Sequence, residues 1–194
     1  MNTQWTEIFC VIARSGRMDA VRNDPKCGFN LFLRAQKDAP GEARLSLALF
    51  DSEYDLILDG APIQDIPELP AETYVPRGST ALLDAVGKSI NHMATRLSRA
   101  AEIPAKVVFC ILTDGEENAS QEFTRDQLLE TITRQKINNG WEFVFLAANH
   151  DAFASGASIG IAPSDNIKFQ ATVVGLAGAY QRMSDEILRH RSKI

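Results

Sequence analysis

Three cysteines, Cys10, Cys27 and Cys110, are all that 194 residues contain. An odd number of thiols cannot close a set of disulfides, and Cys10 and Cys110 lie within apolar runs where Cys behaves as a small hydrophobe. A reducing compartment is therefore expected and a zinc site is not. Long apolar runs are missing as well: Val107 to Leu112 falls far short of the roughly 20 residues a membrane helix requires. The opening MNTQWTEIFCVIARSG lacks a basic segment leading into an apolar stretch with a small-residue cleavage site. A cytoplasmic protein without a membrane partner is the expectation. Basic residues are not in excess, since 20 Lys and Arg against 25 Asp and Glu leave a net charge of −5, so no nucleic-acid partner is expected. No Gly-rich fingerprint follows the first apolar run, no Walker motif occurs, and Gly156 and Gly160 fit no phosphate-binding pattern, which disfavours nucleotide binding. Internal repeats are absent.

What remains is an ordinary globular composition, 45% hydrophobic and 23% charged, in a length that suits a single domain over residues 1–194. Short apolar runs alternate with stretches of helical period, the pattern of an α/β fold with a mainly parallel central sheet. Ile8 to Ile12 is the first run. A helical stretch from about Met18 to Gln36, interrupted near Pro25, follows it. Leu45, Leu47 and Leu49 and then Tyr54 to Leu58 read as a hairpin turning at Asp51 to Glu53, which places one antiparallel strand at an edge. Residues 61–76 hold Pro62, Pro67, Pro70 and Pro76 with three acids and no base, and read as an extended surface crossing. Leu82, Val86, Ile90, Met93 and Leu97 trace one face of a helix running to about Ala100. Lys106 to Thr113 has the continuous hydrophobicity of a central strand, and Cys110 in it should lie buried on a strand next to that of Cys10. Thr124 and Gln127 fit a capping box ahead of Leu128, Leu129 and Ile132. A strand at Trp141 to Ala147, a short helix near Asp151 to Ser158, a strand near Ile167 to Phe169 and a helix from about Thr172 to Arg191 complete a sheet of about six strands, with helices on both faces.

In an open parallel sheet ligands bind beyond the carboxyl ends of the strands, so the residues just after each run are the candidates. They are Ala13, Arg14, Ser15, Gly16 and Arg17; Arg77, Gly78, Ser79 and Thr80; Asp114, Gly115, Glu116 and Glu117; and Asn149, His150 and Asp151. Ser15, Thr80 and Asp114 would supply two hydroxyls and a carboxylate from separate loops, the hard oxygen ligands of magnesium or manganese. Singly each has a plainer reading: Ser15 and Gly16 shape a turn, Asp114 with Gly115 ends a strand, and His150 starts a helix. Asp84, one turn into its helix, meets the helix dipole favourably and suits a structural role. Asp114, Glu116, Glu117, Glu122, Asp126 and Glu130 surround the single base Arg125, and Glu116 and Glu117 lie on the candidate face, where a basic partner could meet them.

The element order, the run ending in Ala-Arg-Ser-Gly-Arg-Met, the Gly-Ser-Thr before a helix and the Leu-Thr-Asp-Gly together resemble a von Willebrand factor type A (vWA) domain. The likeness runs from about Trp5 to the last helix and is nearest the compact single-domain bacterial and phage members. It implies a Rossmann-like fold and a metal-ion-dependent adhesion site built from Asp-x-Ser-x-Ser, a Thr and an Asp. Ser15, Thr80 and Asp114 match that motif, whereas Ala13 stands in place of the first Asp and Arg17 in place of the second Ser. Both departures oppose a metal: one carboxylate is lost, and a fixed cation about 4 Å from another charge is repelled by about 4 kcal/mol at an effective dielectric near 20. A degenerate site is therefore expected, with no cofactor or weakly bound magnesium or manganese.

The leading functional expectation is a non-enzymatic module that binds another protein through Ser15, Arg17, Arg77, Thr80, Asp114, Glu116 and Glu117. Arg17 would itself take a partner's carboxylate, because a guanidinium pairs with it bidentately. The competing expectation is a metal-dependent α/β hydrolase in which Asp114, Glu116 and His150 supply ligands or a base. It is disfavoured because no paired aspartates close the first strand.

Overall fold

The computed structural model describes residues 5–14, 28–70, 73, 78–113, 115–148, 150–170 and 172–192. Strand β1 (Trp5–Ala13) is followed by α1 (Phe29–Asp38), β2 (Glu42–Phe50), β3 (Tyr54–Pro62), α2 (Leu82–Ser98), β4 (Lys106–Thr113), α3 (Arg125–Asn139), β5 (Glu142–Ala147), α4 (His150–Ser158), β6 (Asn166–Lys168) and α5 (Val173–Arg191). The strands form one sheet in the order β3-β2-β1-β4-β5-β6. Every neighbouring pair is parallel except β2 and β3, which form the hairpin expected around Asp51 to Glu53.

The near-continuous apolar character of β1 and β4 follows from their central positions, where both faces are covered. Ile8, Cys10 and Ile12 point to one side, against Phe32 and Leu33 of α1 and Tyr180, Met183 and Ile187 of α5. Phe9, Val11 and Ala13 point to the other, against Val86, Ile90 and Met93 of α2 and Leu128 and Ile132 of α3. On that second face Phe109 stacks between Phe9, at 5.1 Å between ring centres, and Phe143, at 5.2 Å. Cys10 and Cys110 are register partners on β1 and β4, both buried and both free thiols, as the sequence suggests. Burial in this apolar layer pushes both thiols well above the ordinary range, which keeps them protonated and unreactive.

Helix α3 begins with the expected capping box: the Gln127 N–H donates to Thr124 Oγ1 at 3.3 Å, and the Thr124 N–H donates to Gln127 Oε1 at 2.9 Å. It ends on Gly140, whose φ of 63° is the left-handed conformation that glycine adopts without strain. Helix α1 starts at Phe29, and the earlier part of the stretch expected from Met18 lies outside the described residues. Strand β3 runs on to Pro62, four residues beyond the expected end, because the chain bulges twice there. The second bulge holds Gly60 at φ 60°, and a Cβ at that position would collide with the Arg96 guanidinium. Bulges and a terminal proline on an edge strand also discourage pairing with another sheet.

Candidate functional site

The chain just after β2 and the loop after β4 meet the start of α2 at the carboxyl end of the sheet. Thr80 is 3% exposed, and its N–H donates to Asn118 Oδ1 at 2.9 Å while its carbonyl accepts from the Asn118 N–H at 3.1 Å. A Cβ on Gly115 would lie 2.6 Å from Thr80 Oγ1, so the close approach of these two loops requires glycine there. The Ala81 N–H donates to the Asp51 carbonyl at 2.8 Å, which ties the same corner to β2. The structure thus brings Thr80 against Gly115.

Two carboxylates weld this corner. Glu117 Oε1 accepts from the Ala119 N–H at 3.0 Å and the Ser120 N–H at 2.8 Å; its Oε2 accepts from the Leu83 N–H at 2.9 Å and the Ser120 hydroxyl at 2.7 Å. Asp84 Oδ1 accepts from the Glu122 and Phe123 amides, each at 2.9 Å, and its Oδ2 accepts from the Gln121 amide at 2.8 Å. Phe123 then packs its ring over Gly87, where a Cβ would sit 2.5 Å from it. The N-cap residue of α2, Ala81, makes no side-chain bond to the start of the helix. Glu117 takes that place at the positive end of the helix dipole. The Leu83 and Asp84 amides, which a phosphate could otherwise engage, are bonded to Glu117 and Ser120.

Arg14 closes the other side of the corner. It is nearly buried, its Nε donates to Asp51 Oδ2 at 3.0 Å, and its Nη2 pairs with Asp55 of β3. In the sequence Arg14 stands out only as a loop residue; its location one position past a central strand, with Asp51 one position past the neighbouring strand, is the signal that pairs them.

Glu116 is exposed, whereas Glu117 is engaged as described. His150 opens α4. Ser15, Arg17, Arg77 and Asp114 lie outside the described residues. Ala13, the last residue of β1, is 1% exposed and offers a methyl where a metal site of this type needs a carboxylate. Among the described residues no group of three or more His, Cys, Asp or Glu is placed to hold a metal ion.

No protein-family model matches the chain, and no curated protein matches it. Solved structures do. A von Willebrand factor type A protein from Catenulispora acidiphila superposes with a TM-score of 0.60 at 14% identity, over 92% of this chain and 41% of that one. The fold is vWA-like. The vWF domain of the type V pili tip protein Mfa5 from Porphyromonas gingivalis gives a TM-score of 0.62 at 12% identity, over 94% of each chain. Proximal thread matrix protein 1 from the mussel byssus, solved with zinc occupying its MIDAS motif, gives 0.61 at 15% identity, over 94% of this chain and 46% of that one. This vWA-like chain thus spans less than half the length of two of these structures.

Proposed function

We propose that this chain is a non-enzymatic binding module that engages another protein through the loops at the carboxyl end of its sheet, with exposed Glu116 at the centre of the contact, buried Thr80 behind it, and Ser15, Arg17, Arg77 and Asp114 completing the face. The observation that carries the reading is the weld made by Asp84 and Glu117. It removes two acids from any reaction and holds the loop after β4 in one conformation, leaving Glu116 exposed at its start. A surface ordered before contact loses less entropy on binding. The pili tip and byssus proteins of similar fold support an adhesive or scaffolding role, and the methyl of Ala13 supports a mode of contact that does not run through a tightly held metal. Arg17 would supply the positive charge to a partner's carboxylate instead. A cytoplasmic setting and a bacterial or phage origin belong to the same proposal.

A photo-crosslinking residue at position 116, compared with one at exposed Ile137 on α3, tests it in the cells that express the protein. A discrete conjugate formed from position 116, absent from position 137 and lost in an Arg17→Glu background, is expected. Equal labelling from both positions would refute the assignment of the face. The hydrolase reading requires metal-dependent ester or phosphoester turnover that falls in His150→Ala, and none is expected.

A further inference from the structure

We propose that the cavity at the amino end of the sheet, floored by Thr6 and rimmed by Asp38 and Glu42, binds a free aliphatic diamine or polyamine. The site is separate from the loops discussed above and does not depend on them. It encloses about 590 Å³ between the start of β1, the end of α1 and the end of α5, a volume typical of small-molecule sites.

Three features select the ligand. Thr6 is fully buried on the α1 and α5 face of β1, lines the cavity, and its Oγ1 has no hydrogen-bond partner among the described residues. A buried hydroxyl left unsatisfied is costly, and a ligand donor that reaches it recovers that cost. The walls are mainly apolar, with Pro40 and Leu188 flanking the opening, which suits a methylene chain. The charge around the cavity is negative. Arg191 is 7% exposed and forms no ion pair among the described residues. Its Nη1 donates to the Gln36 carbonyl at 2.7 Å and Gln36 Oε1 at 3.0 Å, and its Nη2 donates to the carbonyls of Pro40 at 3.3 Å and Gly41 at 2.8 Å. The Gln36 carbonyl lies in the last turn of α1 and those of Pro40 and Gly41 in the chain just after it; α5 also ends here, and two helix C-termini of about −0.5 charge each offset the one guanidinium. Asp38 and Glu42 are then left as a net negative rim. An ammonium at the floor and a second at the rim, joined by methylenes, match this arrangement; an anion or an uncharged alkyl chain does not.

Titration calorimetry with 1,5-diaminopentane and with spermidine on the whole chain tests the proposal. Saturable binding is expected, with 1-pentanol silent. Thr6→Val keeps the shape of the side chain and removes no internal bond, and it should weaken binding about tenfold, the worth of one hydrogen bond to a charged donor. Asp38→Asn with Glu42→Gln should weaken it at least as much. Amide shifts on addition of diamine should concentrate at Thr6, Gly41 and Arg191. Absence of saturable heat, or affinity unchanged in both variants, would overturn the proposal. So would a capped lysine amide that binds as tightly as the diamine, because that would assign the cavity to a partner's side chain.

Discussion

At the carboxyl end of the sheet Asp84 and Glu117 give their charge to backbone amides, while at the amino end Glu7 gives its charge to a single guanidinium. Asp84 and Glu117 between them accept six amide N–H bonds, from Leu83 and from residues 119–123; Asp84 is 8% exposed and Glu117 half-buried. Glu7 on β1 has no exposure at all and pairs with Arg96 of α2, whose Nε lies 3.2 Å from Asp59; that Asp59 oxygen is also 3.0 Å from His92 Nε2. Burial raises the Glu7 carboxyl above its ordinary range even though Arg96 pulls it down. Amide-bonded carboxylates order a loop at moderate cost, because each bond satisfies a group that needs a partner anyway. A buried pair is different: its worth lies mostly in the penalty for breaking it. The end that carries the proposed interface is thus held by many amide bonds, and the opposite end by one guanidinium shared between Asp59 and buried Glu7.

Breaking that pair should have the largest effect. Arg96→Met leaves Glu7 buried without its cation and should cost about 3–5 kcal/mol in urea unfolding. Restoring neutrality with Glu7→Gln in the same chain should recover most of the loss; no recovery would mean that Arg96 acts through its packing. At the other end Asp84→Ala removes three charge-assisted bonds and should cost about 3 kcal/mol, accompanied by fast amide exchange at residues 121–123. Exchange left slow there would show that Phe123 on Gly87 alone secures the loop.

The altered motif offers a gain in place of a loss. Ala13→Asp with Arg17→Ser returns a carboxylate and a hydroxyl to the altered motif, so manganese at 100 times its Kd should stabilise the variant by about 2.7 kcal/mol and leave the natural protein unchanged. Calorimetric binding of manganese to the natural sequence would contradict the charge argument, and none to the variant would show the motif misaligned. Glu117→Gln keeps the shape but loses the charge that caps α2, and about 1–2 kcal/mol is expected in the same unfolding assay. The smallest effect is in pH. Because the folded-state pKa of Glu7 is raised, the folded chain holds that proton more tightly, so this group's contribution is complete below about 4.5 and is lost as pH rises through the folded value. Thermal midpoints of the natural protein and of Glu7→Gln should therefore diverge over that window; parallel curves would remove Glu7 as the cause.

The sequence by itself determined the α/β order, the hairpin, the capping box of α3 and the neighbouring burial of Cys10 and Cys110, because each rests on residues close together or on the apolar run a central strand must have. The Thr124 and Gln127 pair spans three residues, and Ile8 to Ile12 needs no partner to be recognised. The convergence of Thr80 with the loop after β4 was also legible, since a parallel sheet sends its strand ends to one side. Only the tertiary structure decided which acids are structural. Glu117 reaches Leu83 across 34 residues, Arg96 reaches Glu7 across 89 and Arg191 reaches Gln36 across 155. Nothing local distinguishes Glu117 from the exposed Glu116 beside it. Their different fates come from the position of α2, which packing of its apolar face against the sheet sets, and a carboxylate's task depends on which amide or cation that packing brings within about 3 Å.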